Sequence, residues 1–549
     1  MTTADASETT TGTADTGTAE TTTGTADTDT STGAAGDRAT VTAPAAGSAS
    51  RGSHWIDHWE PDDETFWEET GRKVARRNLV WSMFAEHLGF SVWVIWTIVV
   101  INLGNAGITM SVSEQFLLTL VPNLVGSILR IPYTFAVPRF GGRAWTAASA
   151  ALLLIPTLLL ATVVPSGWLA EQSHDVQLWV LIVCAATAGF GGGNFSSSMF
   201  NISFFYPERK KGWALGMNAA GGNIGVAVAQ LFVPLAIIVG VSSEAVKQPV
   251  HQVHLGYAGL MWVPFIVAAT VGALLFMNSL TQARADARSY VVALRSTQTW
   301  IMSFLYIGTF GSFIGFSFAL PLVIKNTFPE FLADHPFIAT YLAGLSFMGA
   351  LIGSLARPLG GWLSDKVGGA KVTVWCFAGM AVFTVLAIVG VQERSFATFF
   401  GSYMVIFLLT GLCNGSTYKM IPSIFAVLGS KHAQQTGDDR KATAVEYKRR
   451  AAAVIGIAGA LGAFGGVLIQ VVLRQASLGV SALVKAAETP AEKVAVAAAH
   501  ADWSVPALWV FFGCYIVFAA TTWLVYLRSG STYVKDERSF GPAAATSTA

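Results

Sequence analysis

The chain has 549 residues, of which 53% are hydrophobic and only 12% are charged, about half the charged fraction of roughly 25% that is usual in soluble proteins. Its 34 Lys and Arg residues against 33 Asp and Glu residues leave a formal charge of +1, which argues against nucleic-acid binding. The low charge also excludes a soluble multidomain protein, so we expect a membrane protein with many spanning segments.

Residues 1–52 form a Thr-, Ala- and Gly-rich tract in which the octamer TTTGTADT occurs twice, at Thr9–Thr16 and at Thr21–Thr28. Such a composition buries too little apolar surface to fold. The tract also lacks the basic start and the apolar core of a secretory signal peptide. We predict a disordered cytoplasmic tail over 1–52, followed by a cytoplasmic lead-in helix over 53–78.

Apolar segments of about membrane-spanning length follow the lead-in segment. The twelve predicted spans are 79–103, 114–137, 145–166, 176–200, 212–239, 256–280, 299–322, 337–362, 372–391, 396–427, 451–473 and 505–528. The segments between and beyond the predicted spans lie alternately on the two sides of the membrane. Those on one side carry twenty-three Lys and Arg residues, and those on the other side carry six. By the positive-inside rule, both termini are cytoplasmic. We therefore predict a multi-pass protein of the plasma membrane.

The two parts of the chain repeat each other. The first repeated set recurs after 227 residues and consists of Gly126, Arg130, Gly141 and Gly142, followed by Gly353, Arg357, Gly368 and Gly369. The second set recurs after 240 residues and consists of Gly216, Gly222, Gly225 and Gln230, followed by Gly456, Gly462, Gly465 and Gln470. Asn194 and Asn414 are 220 residues apart.

The repeat predicts the domain organisation of an all-α membrane protein with twelve transmembrane helices. Two pseudo-symmetric six-helix halves cover 79–280 and 299–528, joined by a cytoplasmic linker over 281–298, and 529–549 form a cytoplasmic C-terminal tail. Parallel halves of this kind are typical of the major facilitator fold, in which the substrate binds near the membrane centre between the halves.

Arg130 and Arg357 are the strongest candidates for a binding site. Each lies eight residues before the predicted end of its helix, at Pro138 and Asp365, which is roughly 12 Å into the membrane. A charge at that depth is costly and needs a polar cavity or a partner. Two guanidiniums facing one cavity would attract an anion, and their planar shape suits an oxyanion. The alternative is that both side chains reach back toward the interface or form ion pairs within a cytoplasmic helix–loop motif.

Other polar and aromatic residues have two interpretations each. Asn218 either forms an interhelical hydrogen bond or donates to the anion. Tyr306 and Phe310 share one face of a helix through their i, i+4 spacing and either pack in the core or enclose a flat ion. Glu86 and His87 either couple transport to protons or form a pair at the end of a helix. Lys419 either joins a positive cavity or reaches an interface.

We interpret the glycines of the fifth and eleventh predicted helices as packing residues, whose bare backbone would also let a small ligand approach closely. This set contains Gly216, Gly222, Gly225, Gly456, Gly462 and Gly465. No cluster of residues has metal-ligand spacing and no nucleophile–base pair is present. We therefore predict no cofactor, no metal, no nucleic-acid partner and no enzymatic reaction.

Several strings resemble the nitrate/nitrite porter family of the major facilitator superfamily. They lie at Leu129–Arg143, Gly189–Val226, Tyr306–Ser317 and Leu355–Gly369. The resemblance implies that Arg130 and Arg357 bind the anion, and that Tyr306, Phe310 and Asn218 help to hold it. It also implies an aromatic residue from the fourth helix, for which Phe190 fits better than Phe195, and glycine hinges in the fifth and eleventh helices that permit the halves to rock. Exchangers of the family usually lack acidic residues at the site, and Glu86 departs from that pattern.

These observations together predict a monomeric transporter of nitrate and nitrite that works by alternating access in the lipid bilayer. Two positive charges repel each other in an empty site, so the empty carrier should resist reorientation, which favours nitrate/nitrite antiport. Proton-coupled nitrate symport through Glu86 or His87 is the alternative mechanism. A phosphate or organophosphate carrier of the same fold would also use paired arginines, with additional cationic residues.

Overall fold

The computed structural model describes residues 54–242, 245, 252–283 and 287–528. The predictions for the tails at 1–52 and 529–549 lie outside these residues. The described chain is mainly helical, with a short parallel pair of strands, β1 (Trp55–Ile56) and β2 (Ser279–Leu280). We call the side of the helix bundle that carries this pair the strand face, and the other side the opposite face.

Long helices form the bundle. In chain order they are α1 (Glu64–Asn102), α2 (Val112–Phe140), α3 (Gly142–Thr162), α4 (His174–Phe205), α5 (Glu208–Ile237), α6 (Leu255–Phe276), α7 (Thr297–Thr327), α8 (Phe347–Val367), α9 (Gly369–Gln392), α10 (Phe396–Thr436), α11 (Arg440–Ala486) and α12 (Val505–Leu527). All of these except α8 are long and apolar enough to cross a membrane. The twelve predicted spans therefore correspond to eleven such helices plus α8, which contains Arg357, Asp365 and Lys366.

Helix α8 starts at residue 347, later than the predicted start at 337. A short helix, Pro336–Tyr341, precedes it. Between the two helices, Gly344 has φ 65° and its neighbours Ala343 and Leu345 also have positive φ. A left-handed backbone cannot continue a right-handed helix, so the predicted single span is divided at this point.

The start of the chain differs from the predicted separate lead-in helix. Helix α1 begins at Glu64, where the Asp63 carboxylate accepts a hydrogen bond from the Phe66 backbone N–H at 2.7 Å. The helix then continues into the first span without a break. Trp59 precedes it and packs against Phe205 at the end of α4. Burial of this aromatic side chain holds the segment before α1 against the strand face.

Two repeat-related glycines end α2 and α8. Gly141 has φ 85° and Gly368 has φ 94°, and each is followed directly by the next helix, α3 or α9. A side chain would be strained in this backbone conformation. The equivalence that the sequence predicts between these helices is therefore present in the backbone itself.

The two halves contact each other mainly through α2 with α11 and through α5 with α8. Toward the opposite face, two repeat-related glutamines form buried hydrogen bonds between the halves. Gln230 of α5 donates to the carbonyl oxygen of Ser317 in α7 at 2.7 Å. Gln470 of α11 accepts a hydrogen bond from the Thr119 hydroxyl of α2 at 3.0 Å. Because both glutamines are fully buried, losing these bonds without replacement costs about 1–3 kcal/mol each.

The alternating access that the sequence predicts would break these bonds when the bundle opens toward the opposite face, so replacing both Gln230 and Gln470 by leucine should favour opening there. Ser113 lies at this contact between the halves, where its backbone N–H donates to Oγ of Ser481. We expect maleimide to label a cysteine placed at this position at least about fivefold faster in the double variant than in the protein with both glutamines, which corresponds to about 1 kcal/mol. The exposed Cys514 is replaced in both proteins. Equal labelling rates would show that the glutamines do not hold the two halves together toward the opposite face.

Candidate functional site

Arg130 of α2 is completely buried and bridges the two halves. Its Nε donates to the carbonyl oxygen of Gly192 in α4 at 3.2 Å, and its Nη1 donates to the carbonyl oxygen of Gly459 in α11 at 2.9 Å. A side chain held in this way between helices does not reach the interface. The alternative interpretation of Arg130 as an interfacial residue is therefore wrong.

Arg357 takes the equivalent position on α8 and is only 6% exposed. Its Nη2 donates to the Tyr306 hydroxyl of α7 at 3.2 Å. Its guanidinium carbon lies 5.4 Å from the ring centre of Tyr418 in α10. Within the described residues, neither Arg357 nor Arg130 forms a salt bridge with a carboxylate. The two buried positive charges are therefore not paired at close range.

One phenylalanine lies against both guanidiniums. The ring centre of Phe195 in α4 is 4.7 Å from the guanidinium carbon of Arg130 and 5.8 Å from that of Arg357. Phe310 of α7 stacks on Phe195 with 6.0 Å between ring centres and lies 4.9 Å from the Arg130 guanidinium carbon. Cation–π contacts at these distances favour positive charge next to the rings. They hold both arginines at one location.

Tyr306 extends the aromatic stack. Its ring lies 5.7 Å from that of Phe310, with an angle of 14° between the ring planes. The π-helical turn Ile307–Gly311 follows Tyr306 directly, and such turns occur frequently at functional sites. The prediction that Tyr306 and Phe310 share a face is confirmed. The hydroxyl of Tyr306 borders Arg357, and the ring of Phe310 borders Arg130.

Each arginine keeps hydrogen-bonding capacity. Nη2 of Arg130 and Nη1 of Arg357 have no hydrogen-bond partner among the described residues, and neither does the hydroxyl of Tyr418. A buried donor without an acceptor costs about 1–3 kcal/mol, and more when it is charged. Two positive donors beside an aromatic stack provide charge, direction and a flat wall, which are the features that bind a small planar oxyanion.

Asn218 belongs to a second polar cluster, centred on Glu86 of α1. Its Nδ2 donates to Oε2 of Glu86 at 2.7 Å and to Oγ of Ser198 in α4 at 2.6 Å. The Ser198 hydroxyl donates to the same carboxylate oxygen at 2.5 Å. Of the two roles left open for Asn218, the structure shows the interhelical hydrogen bond. Glu86 is fully buried, so it is not part of a solvated pair at a helix end.

The prediction that Phe190 is the aromatic residue of the fourth helix at the site has to be corrected. It makes no ring or cation–π contact in the part of the chain that the structure describes, whereas Phe195 contacts both arginines. The two positions are five residues apart, which places them about 140° apart around a helix. They cannot face the same site, and the structure favours Phe195.

Lys419 is outside the site. Its Nζ forms a salt bridge with Oδ1 of Asp365 at 2.5 Å, and both side chains are about half exposed. His87 also points away from the arginines, because its Nδ1 lies 3.1 Å from the Gly221 carbonyl oxygen of α5. The arginine pair is therefore not extended by either of these groups.

The six glycines divide into two groups. A Cβ atom on Gly222, Gly225, Gly462 or Gly465 would lie within 3.0 Å of a neighbouring atom. Outside the backbone of its own helix, one on Gly216 would have no neighbour within 4 Å among the described residues, and the nearest such atom to one on Gly456 would be 3.3 Å away. Close helix packing thus accounts for four of the six. The remaining two lie nearer the strand face, where α5 and α11 are less crowded.

Sequence reasoning missed Tyr418 and Ser198. The spacing of 220 that relates Asn194 to Asn414 also relates Ser198 to Tyr418, so the repeat contained a signal for both positions. Ser198 bonds the Glu86 carboxylate and Tyr418 packs against Arg357. Equivalent positions of the two halves therefore carry different chemistry at one depth.

Comparison with known families and proteins agrees with this architecture. The model of the Major Facilitator Superfamily matches residues 79–470. The chain is 37% identical to the protein named "Nitrate/nitrite transporter NarU" of Escherichia coli over 86% of the chain and 96% of that protein. It is 36% identical to the "Probable nitrate/nitrite antiporter NarK2" of Thermus thermophilus over 68% of the chain and 83% of that protein.

Among solved structures, the chain resembles a bacterial homologue of the human lysosomal transporter Spinster in an inward-facing and occupied conformation. The TM-score is 0.54 at 15% identity, covering 83% of this chain and 97% of the other. A mutant of the nucleoside transporter NupG is similar with a TM-score of 0.50 at 12% identity, covering 81% and 99%. These likenesses concern the fold alone.

Proposed function

Because the chain belongs to the major facilitator superfamily, we propose that its paired arginines bind the anion that it carries, and that this anion is nitrate or nitrite. The observation that carries the proposal is the placement of Arg130 and Arg357. They come from equivalent helices of the two halves, and each keeps a buried N–H group without an acceptor in the described chain. The names of the relatives supply the substrate class.

In this proposal, the anion lies between the two guanidiniums and accepts hydrogen bonds from Nη2 of Arg130 and Nη1 of Arg357. The Tyr306 hydroxyl orients Arg357, while Phe195 and Phe310 form the flat wall of the site. A planar anion fits beside such a wall and matches the planar guanidinium groups. Since one arginine lies in each half, binding the anion draws the two halves together.

We propose antiport as the transport mode. Without an anion, two buried guanidiniums repel each other, and this repulsion opposes closure of an empty site. Bound nitrate or nitrite removes the repulsion, so that the loaded carrier passes through the closed state more readily than the empty one. The expected outcome is exchange of one anion for the other by alternating access.

Purified protein in proteoliposomes tests this function. We expect labelled nitrate to enter vesicles loaded with nitrite much faster than empty vesicles, by about tenfold or more at matched pH. Unlabelled nitrate and nitrite should compete for entry, whereas phosphate should not. Absence of nitrate entry under all loading conditions would contradict the proposed function, and competition by phosphate alone would favour the phosphate carrier instead.

We further propose that the strand face is cytoplasmic and that the protein is a monomer of the plasma membrane without enzymatic activity. Support for the orientation comes from the basic connections, because residues 209–211 and 139–143 lie at the strand face and are rich in Lys and Arg. The positive-inside rule places such connections in the cytoplasm.

A further inference from the structure

Asn123 of α2 is a fully buried amide that the anion site does not use. Neither its side-chain oxygen nor its side-chain nitrogen has a hydrogen-bond partner among the described residues. Buried amides are normally hydrogen-bonded, because an unpaired polar group in the interior costs free energy. A polar side chain kept in this state therefore needs an explanation from its surroundings.

The surroundings of Asn123 belong to the contact between the two halves. Asn123 precedes Arg130 by seven residues, so both side chains leave α2 in nearly the same direction, about 10 Å apart along the helix axis. Helix α11 runs antiparallel beside them. Arg130 donates to the carbonyl oxygen of Gly459, and a Cβ atom on Gly466 would lie 2.7 Å from Nδ2 of Asn123. The two facing glycines are also seven residues apart, so Asn123 and Arg130 occupy successive positions along one contact.

The same contact continues toward the opposite face. Four residues before Asn123, the Thr119 hydroxyl donates to Oε1 of Gln470, which follows Gly466 by four residues. Asn123 thus lies between the arginine pair and the hydrogen bond that joins the halves toward the opposite face. An anion that leaves the arginines along this contact meets the amide of Asn123 first.

Two other buried asparagines lack partners in the same way, but each lies within one half. Asn194 of α4 is the nearest neighbour of a Cβ atom built on Gly89 of α1, and Asn201 of α4 is the nearest neighbour of one built on Gly142 of α3. Helices of one half move together when the halves rock, so these amides stay covered. Only the amide of Asn123, among these three, is uncovered when α2 and α11 separate.

A neutral amide has the properties of a transient site for an anion. Its nitrogen carries two N–H donors, which can donate to an oxygen of nitrate or nitrite without adding a charge. It binds an anion less strongly than a guanidinium does. A site on a path has to be favourable enough to enter and weak enough to leave, and an amide beyond the arginines meets both conditions.

From this arrangement we infer that Asn123 forms a second, transient anion site, through which nitrate or nitrite passes between the arginine pair and the opposite face. This inference rests on the proposed function. When α2 and α11 separate, the amide donates to the anion, and the bare backbone of Gly466 leaves room for it. The amide therefore sets the rate of passage and not the affinity of the arginine pair.

The variant Asn123→Ala tests the transient site, and Asn201→Ala is the matched control, because Asn201 is equally buried and unpartnered in the described chain. We expect nitrate/nitrite exchange in proteoliposomes to fall about tenfold in Asn123→Ala, as for the loss of a hydrogen bond to a charged ligand. Exchange by Asn201→Ala should stay close to the wild-type rate. Equilibrium nitrate binding to both purified variants should match that of the wild type. Asn123→Ser keeps a donor and should recover much of the exchange rate.

Two results would overturn the inference and leave the proposed function intact. One is exchange by Asn123→Ala at the rate of the Asn201→Ala control. The other is loss of equilibrium nitrate binding in proportion to the loss of exchange, because the amide would then belong to the arginine site. Wild-type protein that neither binds nor exchanges nitrate would instead contradict the proposed function.

A cysteine placed at position 123 tests the same site by its reactivity, in a protein whose exposed Cys514 has been replaced. Two thiosulfonate reagents of similar size, one anionic and one cationic, are added from the side of the opposite face. We expect the anionic reagent to modify the cysteine several times faster than the cationic one, and nitrate to slow this modification. Equal rates for the two reagents, or no protection by nitrate, would overturn the inference.

Discussion

Replacing Arg357 by lysine should reduce nitrate uptake by about 100-fold while leaving the protein folded. Lysine keeps the positive charge but lacks the planar pair of N–H groups, one of which bonds Tyr306 at 3.2 Å and another of which has no partner in the described chain. Losing charge-assisted hydrogen bonds to the anion costs about 1.5–3 kcal/mol, and Arg130→Lys should behave in the same way. Uptake of labelled nitrate into nitrite-loaded vesicles measures the effect.

The matched control is Lys366→Arg, which exchanges the same two residue types on the same helix. Lys366 lies near the end of α8, about 13 Å along the helix axis from Arg357, and its Nζ is 3.9 Å from the ring centre of Trp362. We expect this variant to transport at close to the wild-type rate. If Arg357→Lys transported nitrate equally well, Arg357 would not contact the anion. Size-exclusion profiles of both variants show whether they are folded.

The second large effect is expected for Gly225→Ala in α5. The new methyl carbon would lie 2.3 Å from the backbone carbonyl oxygen of His87 in α1, far inside van der Waals contact. Because the obstacle is the backbone of a neighbouring helix, the two helices have to separate, at a cost of about 1–3 kcal/mol. The separation also weakens the hydrogen bond from Ser91 to the Gly225 carbonyl oxygen, which is 3.0 Å long. We expect a lower melting temperature in detergent and a lower yield.

Gly216→Ala is the control on the same helix, because, apart from the backbone of that helix, no atom of the described residues lies within 4 Å of the position of its new methyl group. Alanine also favours helix by about 0.8–1.0 kcal/mol over glycine. The melting temperature of this variant should equal or exceed that of the wild type. Similar losses in both variants would mean that the glycines act through backbone flexibility and not through packing.

The buried Glu86 carboxylate bears on how the arginine pair is understood. Repulsion between two guanidiniums by itself favours strict exchange. A buried carboxylate that attracts both arginines reduces that repulsion in the empty carrier. Comparison of nitrate uptake into empty and nitrite-loaded vesicles therefore measures how much net transport accompanies exchange, and the anion site is the same in either case.

Most of the fold and the arginine pair were predictable from the sequence. A spanning helix has to satisfy its backbone internally and bury apolar side chains over the width of the bilayer, so composition and length are sufficient to locate it. The repeat then paired α2 with α8, and the φ values of Gly141 and Gly368 show the same equivalence in the backbone. The divided eighth span was missed because Ala343 and Leu345 are residue types that carry no turn signal.

The partners of individual side chains were decided only by the tertiary structure. Phe195 replaced Phe190 beside the arginines, Asn218 bonded Glu86, and Lys419 paired with Asp365 outside the site. Each outcome depends on how far a helix is rotated about its axis and on which helices surround it. The balance of 34 basic against 33 acidic residues showed that the chain is nearly neutral, and its 12% of charged residues predicted a membrane protein. Long-range packing determined which side chains surround the two arginines, because neighbours across helices are set by contacts that are distant in sequence.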